Sequence, residues 1–186
     1  MELLTAKKGF AHFTSKQFRT FVQAVVGDES YLACVSETPN VEILDGNILR
    51  IPYLMLVHHG GLFLVEDTDD VTYQNGTQGM KRIDLVVARY TKATDGMENG
   101  EWAIISGTPD VSGPVAPAHT KGNMQNGDLI DECPVFKVTY DGLNIESIEC
   151  LVPIIKPLCK KQNQITSGTA EPSGGEDGDV YIKLES

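Results

Sequence analysis

Turn-forming residues recur at short intervals along most of the chain, and this spacing restricts the fold more than any other feature of the sequence. Asp45-Gly46 separates two runs of aliphatic residues, and Asp141-Gly142 separates two more. Glycine after aspartate supplies the positive φ that tight hairpins need. Turn signals spaced roughly 8–12 residues apart between short apolar runs are typical of β-sandwiches and barrels. The sequence therefore predicts a mostly-β body, either a β-sandwich or barrel-like.

One segment near the N-terminus has a helical period instead. Thr14 or Ser15 can cap a helix, and Gly27 can end it. Between them, apolar residues recur at i, i+3, i+4 and i+7, at Phe18, Phe21, Val22 and Val25. This pattern predicts a short helix over about residues 14–26 that packs its apolar stripe against a larger body.

The later part of the body contains the strongest strand and the longest irregular stretch. Residues 83–90 are apolar enough for a central strand. Residues 106–128 carry several prolines and glycines, and loops of that length are usually functional or fastened by a neighbour. The body is predicted to extend over residues 1–156.

From Pro157 onwards the composition changes to Gly, Ser, Pro and polar residues, which predicts an extended arm over residues 157–186. Its last residues alternate apolar and polar side chains as a strand does. A lone strand is unstable, and no partner strand is evident in the arm. The sequence therefore predicts a strand that docks on another sheet through Val180, Tyr181, Ile182 and Leu184.

The charge of the chain limits its partners. The formal net charge is −11 and the pI is about 4.7. Such a chain repels phosphates, so neither nucleic acid nor an anionic membrane is an expected partner. No segment approaches the ~20 apolar residues of a membrane span. Residues 1–8 lack the pattern of a signal peptide, which predicts synthesis in a cytoplasm with reduced thiols.

The sequence contains no recognisable catalytic, cofactor or metal motif, so no catalytic, cofactor-binding or metal-ligating residue is predicted. His58 and His59 are adjacent on a predicted strand, which would point their side chains to opposite faces and prevent them from sharing a metal. They are expected in solvent at a hairpin end. A Cys–His pair, such as Cys133 with His119, remains open because such partners meet only in the fold.

Two further residues have competing interpretations. Cys34 lies in an apolar run and is expected to be a small buried hydrophobe. Trp102 is favoured as a core residue, although an exposed tryptophan would offer a flat face for stacking on a sugar.

Residues 70–92, above all the run Asn75-Gly-Thr-Gln-Gly-Met-Lys-Arg-Ile-Asp-Leu85, resemble a stretch of tail, baseplate and fibre-associated proteins from phages and prophages of Gram-positive hosts. Residues 165–182 resemble a terminal segment common in phage fibre and appendage proteins. Together with shorter similarities at residues 40–47, 107–109, 134–138 and 143–148, the resemblance covers most of residues 5–182. Members of this family are β-rich structural modules, often trimeric.

The resemblance implies a non-enzymatic virion component of a tail or baseplate, made in the host bacterial cytoplasm. Its partners would be other virion structural proteins and copies of itself, with a trimer favoured. Many relatives continue into a receptor-binding domain, so a shorter chain implies an adaptor that positions such elements. The alternatives are a capsid-surface appendage or head fibre, and a carbohydrate-binding module for host attachment.

Overall fold

The computed structural model describes residues 14–155, 165–171 and 180–184, which fall into two compact units over residues 1–155 and 156–186. The first unit is a mostly-β, sandwich-like body with one short helix, as the turn spacing predicted. The described part of the second unit is an arm with two short strands. The expectations for residues 1–13, 156–164 and 172–179 lie outside the described residues.

Helix α1, Ser15–Val26, begins at a capping box. The Thr14 side chain accepts a hydrogen bond from the Gln17 backbone, and the Gln17 side chain accepts one from the Thr14 backbone. Gly27 ends the helix with φ 93°. The predicted helix is therefore confirmed. No helix in the described ranges is long and apolar enough to cross a membrane.

The expected packing of this helix was wrong. Phe18, Phe21 and Val25 are 42%, 60% and 42% exposed, and the buried helix residue is Arg19. Arg19 pairs with Glu98 at 2.9 Å. Polar docking thus replaces the predicted apolar docking, and the apolar stripe of the helix is largely open to solvent.

The first sheet is built around one long strand. Strand β3 (Ile48–His58) pairs along one edge with β1 (Tyr31–Ala33) and β2 (Glu42–Leu44), and along the other with β4 (Gly61–Thr72). All these pairings are antiparallel. The hairpin predicted around Asp45-Gly46 is the β2–β3 connection.

The second sheet has the order β6-β5-β7-β8, again antiparallel. Its strands are β5 (Lys81–Lys92), β6 (Glu98–Ile105), β7 (Ile130–Asp141) and β8 (Asn144–Cys150). Strand β5 lies between β6 and β7, so the prediction of a central strand is confirmed. Gly142 and Leu143 connect the paired residues Asp141 and Asn144 in the predicted β7–β8 hairpin.

The hydrophobic core contains residues from both sheets. Leu54 and Leu56 of β3 and Val86 of β5 are at most 1% exposed, as are Val135 and Phe136 of β7. Apolar side chains of this size each contribute roughly 1.5–3 kcal/mol when fully buried. The body therefore has the packed interior expected of a domain of its length.

Long-range pairing extends two strands, and the expected burial of Cys34 is wrong. Pro52 lies inside β3 beside a register shift. Residues 66–70 continue β4 as exposed strand positions. Cys34 is exposed, because it takes a left-handed φ of 62° directly after β1 ends.

The arm contains a two-stranded parallel sheet. Strand β9 (Ile165–Gly168) pairs with β10 (Val180–Lys183), and Val180 lies opposite Ile165. The expectation that β10 had no partner strand in the arm was wrong. Strand β9 is difficult to recognise in the sequence, because Ile165 and Thr166 favour strands but Ser167 and Gly168, which follow directly, are common in turns.

Candidate functional site

The predicted docking strand exposes an apolar face. Val180 and Ile182 of β10 and Leu184, which directly follows the strand, occupy alternate positions and are 49%, 50% and 51% exposed. Tyr181 and Lys183 alternate with them and bond within the arm: the Tyr181 hydroxyl donates to the Ala170 carbonyl, and Lys183 pairs with Glu171. One side of β10 is therefore engaged within the arm, while the other presents three apolar side chains to solvent.

The small sheet carrying this face needs further support. A two-stranded sheet is marginal in water, and three or more strands with a packed apolar face are needed for independent stability. Among residues 165–171 and 180–184, no third strand joins β9 and β10. Within the described part of the arm, the outer edges of β9 and β10 are therefore not paired with a further strand.

The run that carries the family resemblance has a structural explanation. Arg82 forms a bidentate pair with Asp84 at 2.8 and 3.0 Å, and both side chains are buried. The same guanidinium donates to the Gln74 and Asn75 carbonyls, which fixes the preceding loop. Gly76 passes so close to Gly142 that a Cβ atom would lie 2.0 Å from its carbonyl oxygen.

The long loop of residues 106–128 is fastened by carboxylates of the second sheet. Asp84 accepts a hydrogen bond from the Gly107 backbone at 2.9 Å. Glu132 accepts one from Thr120 at 2.6 Å and pairs with Arg89 at 2.7 Å, which provides the partner that an inward Arg89 would need. The loop therefore supplies two backbone N–H groups, those of Gly107 and Thr120, to carboxylates of the sheet. These hydrogen bonds satisfy the polar groups and hold the loop against the sheet.

A cluster of two histidines and an aspartate lies where the β3–β4 turn meets β7. His58 Nε2 is 3.1 Å from Asp131 Oδ1, and His59 Nδ1 is 2.7 Å from Asp131 Oδ2. Burial alone would raise the pKa of Asp131, but the hydrogen bonds from His58 and His59 lower it to about 2. Asp131 is therefore ionised at neutral pH.

This arrangement contradicts the expectation that His58 and His59 point to opposite faces in solvent. His59 and Gly60 form the two-residue connection, with φ of 45° and 78°, so strand alternation stops at His58. The two rings lie 4.1 Å apart, and His58 is only 5% exposed. Adjacent histidines and a distant aspartate give no recognisable spacing, which is why sequence reasoning missed the cluster.

Trp102 lies at the border between core and surface. Its ring centroid is 6.3 Å from that of Phe136, and its indole N–H donates to Asp69 at 3.0 Å. The half-buried ring packs against the core and lines a groove together with Phe63 and Glu101. The core interpretation thus holds for one side of the ring, and the other side borders an accessible groove.

The open question of a Cys133–His119 pair receives a physical answer. Cys133 lies on β7 and is 3% exposed. Burial is the main cause that raises the pKa of its thiol to about 11. A thiol protonated at neutral pH is a poor nucleophile, so Cys133 has the character of a packed core residue.

No family model, curated protein or solved structure was found to match this chain.

Proposed function

We propose that this chain is a non-enzymatic structural protein that works by forming interfaces, as a component of a phage or phage-like tail or baseplate. The observation that carries the proposal is the exposed apolar face of β10, formed by Val180, Ile182 and Leu184. Main-chain hydrogen bonds from a sheet edge would supply affinity, and the alternate side chains would set the register.

The apolar stripe of α1 supports the same role from a second direction. Phe18, Phe21 and Val25 are exposed in the described structure. Contiguous exposed apolar side chains mark interaction surfaces more often than isolated ones do. In this proposal the stripe is a second contact surface, and the buried ionic groups of the body serve to hold its shape.

The tail or baseplate location and the adaptor role are drawn from the resemblance of residues 70–92 and 165–182 to phage structural proteins. The proposed partners are other virion proteins and further copies of this chain in a closed symmetric oligomer. A trimer is favoured because members of the family that the chain resembles are often trimeric. The same surfaces suit a capsid-surface appendage or head fibre, which differs only in its place on the particle.

Incorporation into particles tests this function. A variant lacking residues 165–186 should keep a folded body, measured by circular dichroism, yet be absent from purified particles. Antibody labelling of intact particles by electron microscopy should place the full-length chain at the tail, whereas labelling of the head would favour the capsid appendage. Normal incorporation of the shortened chain would contradict the arm's role.

A carbohydrate-binding module is the second candidate, because Trp102 and Phe63 line a groove with the carboxylates of Asp69 and Glu101. Aromatic faces beside hydrogen-bonding groups are suited to sugar rings. A glycan array comparing the wild type with Glu101→Gln and Trp102→Ala tests it. Glycan binding lost in both variants would favour this module, and no binding by the wild type would exclude the sugars on the array.

A further inference from the structure

The His58–His59–Asp131 cluster has a property that the interface function does not use. Its three side chains each offer one ligand atom, and these atoms all lie within 4.8 Å of one another. We infer that this cluster binds a divalent transition-metal ion of the Zn²⁺ class through His58 Nε2, His59 Nδ1 and one Asp131 oxygen. This inference is independent of the proposed tail function.

The present distances are close to those a metal requires. Tetrahedral Zn²⁺ with bonds near 2.0–2.1 Å places neighbouring ligand atoms about 3.3 Å apart. The two His–Asp separations, 3.1 Å to Oδ1 and 2.7 Å to Oδ2, run to different oxygens, and all three ligand atoms lie within 4.8 Å of one another. Movements of up to about 1.5 Å, by rotation of the side chains, therefore bring both imidazoles and one carboxylate oxygen to tetrahedral spacing. Each imidazole nitrogen would exchange its hydrogen bond with Asp131 for a metal bond.

The surrounding residues hold the ligands as metal sites usually do. The Ser30 hydroxyl lies 2.7 Å from His58 Nδ1. When His58 Nε2 binds a metal, Nδ1 carries the proton and donates a hydrogen bond to the Ser30 hydroxyl oxygen. A hydrogen bond of this kind commonly orients a histidine that binds a metal. The Met124 backbone donates to Asp131 Oδ2 at 3.0 Å, which leaves Oδ1 as the less encumbered oxygen.

Helix α1 fixes the turn that carries His59. The Gln23 side chain donates to the His59 carbonyl at 3.2 Å. A Cβ atom at Gly60 would lie 2.4 Å from the Arg19 carbonyl oxygen, so the turn passes directly against the helix. These contacts hold the left-handed backbone of His59 in place, and the His59 ring contacts Asp131 from this position.

The donor set and its burial indicate the kind of ion. Two imidazoles and one carboxylate favour Zn²⁺, Co²⁺ or Ni²⁺ over Ca²⁺ and Mg²⁺, which prefer oxygen ligands. The His59 side chain is 22% exposed, whereas those of His58 and Asp131 are 7% and 1% exposed, so the ion would enter beside His59. Three protein ligands leave a position for water or an outside ligand. Bound there, the ion would join the β3–β4 turn to β7 and so link the two sheets.

A Co²⁺ titration followed by its visible ligand-field absorption tests the site, with Zn²⁺ as competitor. The full-length reference carries Cys34→Ser and Cys159→Ser so that neither thiol contributes ligands. His59→Asn removes an imidazole while keeping a residue type that tolerates positive φ. His119→Asn is the matched control, since it removes an imidazole from the long loop.

We expect about one Co²⁺ per chain, displaced by Zn²⁺, with affinity reduced at least tenfold by His59→Asn and unchanged by His119→Asn. Ser30→Ala leaves all three ligands in place and should weaken binding by about 10–100-fold. Zn²⁺ should also raise the thermal midpoint of the reference relative to EDTA, but not that of His59→Asn. Absence of the band in the folded reference, or equal binding by the reference and His59→Asn, would overturn the site.

Discussion

The body and the described part of the arm both contain β-strands, but the body buries its apolar side chains and the arm exposes them. In the body, Leu54 and Val135 are fully buried, and the buried charge of Asp84 has its partner in Arg82 within the same strand. In the arm, Val180 and Ile182 are about half exposed. The body therefore buries its apolar side chains in its own core, whereas the described part of the arm leaves an apolar face exposed.

Among the substitutions that test this difference, Arg82→Met should cause the largest loss in the unfolding free energy of the body. The substitution leaves Asp84, which is 0% exposed, as an unpaired buried charge, and such losses cost about 3–5 kcal/mol. Urea unfolding followed by circular dichroism measures the change. Arg50→Met is the control, because it breaks the exposed Arg50–Asp70 pair and should cost at most about 1 kcal/mol. Equal losses in the two variants would refute the role of Arg82 as a buried anchor.

Gly76→Ala should give the next largest loss. Its Cβ atom would meet the Gly142 carbonyl oxygen at 2.0 Å, and overpacking of this kind costs about 1–3 kcal/mol. Gly113→Ala is the matched control, since nothing lies within 4 Å of a Cβ atom there. Its unfolding free energy should stay within about 0.5 kcal/mol of the wild type. A neutral Gly76→Ala would show that the loop and the β7–β8 turn are not tightly packed.

The Arg19–Glu98 pair gives a pH-dependent test of the docking of α1. Hydrogen bonds from Arg19 hold the pKa of Glu98 below its usual value of 4.5, despite the opposing effect of burial. A lowered folded-state pKa contributes stability above about pH 4.5 that is lost as the pH falls through the folded value.

Arg19→Met should therefore cost about 1–3 kcal/mol at pH 7, and less at a pH well below 4.5, where protonation of Glu98 reduces the ionic part of the loss. Chemical unfolding at several pH values measures it, with Lys16→Met on the exposed side of the helix as control. A loss for Arg19→Met that is the same at both pH values would show that packing alone, and not the ion pair, is responsible.

The smallest effect on body stability should come from the arm. Ile182→Lys places a charge on the half-exposed face of β10 and should change the unfolding free energy of the body by less than about 0.5 kcal/mol. The same substitution should weaken association, because it interrupts the apolar face. Val115→Lys, at a body position that is 78% exposed, is the control and should leave association intact. If Ile182→Lys associates as strongly as the wild type, the apolar face of the arm does not contribute to assembly.

The features predicted correctly from the sequence were those set by nearby residues. Asp45-Gly46 and Asp141-Gly142 define their hairpins within a few positions, and Thr14 with Gly27 marks the ends of α1. The central position of β5 followed from its apolar composition alone. In each case the local sequence contains enough information to determine the local structure.

The features missed depended on distant partners. The sequence pattern of α1 predicted the helix correctly but not its buried side. Arg19 is buried because it pairs with Glu98, which is distant in the sequence. The arrangement of His58 and His59 depends on a turn with positive φ and on Asp131, far along the chain. The pairing of β10 with β9 was missed because the two parallel strands are far apart in the sequence and β9 has only two strand-favouring residues, Ile165 and Thr166, before Ser167 and Gly168.

Solution mass most directly tests the central claim that the arm is an assembly element. Sedimentation equilibrium of the full-length chain should be compared with a variant ending at Lys156, both checked for a folded body by circular dichroism. The account predicts a trimer or larger species for the full chain and a smaller species for the shortened one. If both proteins contain the same number of subunits, whether one or several, the claim that the arm drives association is contradicted.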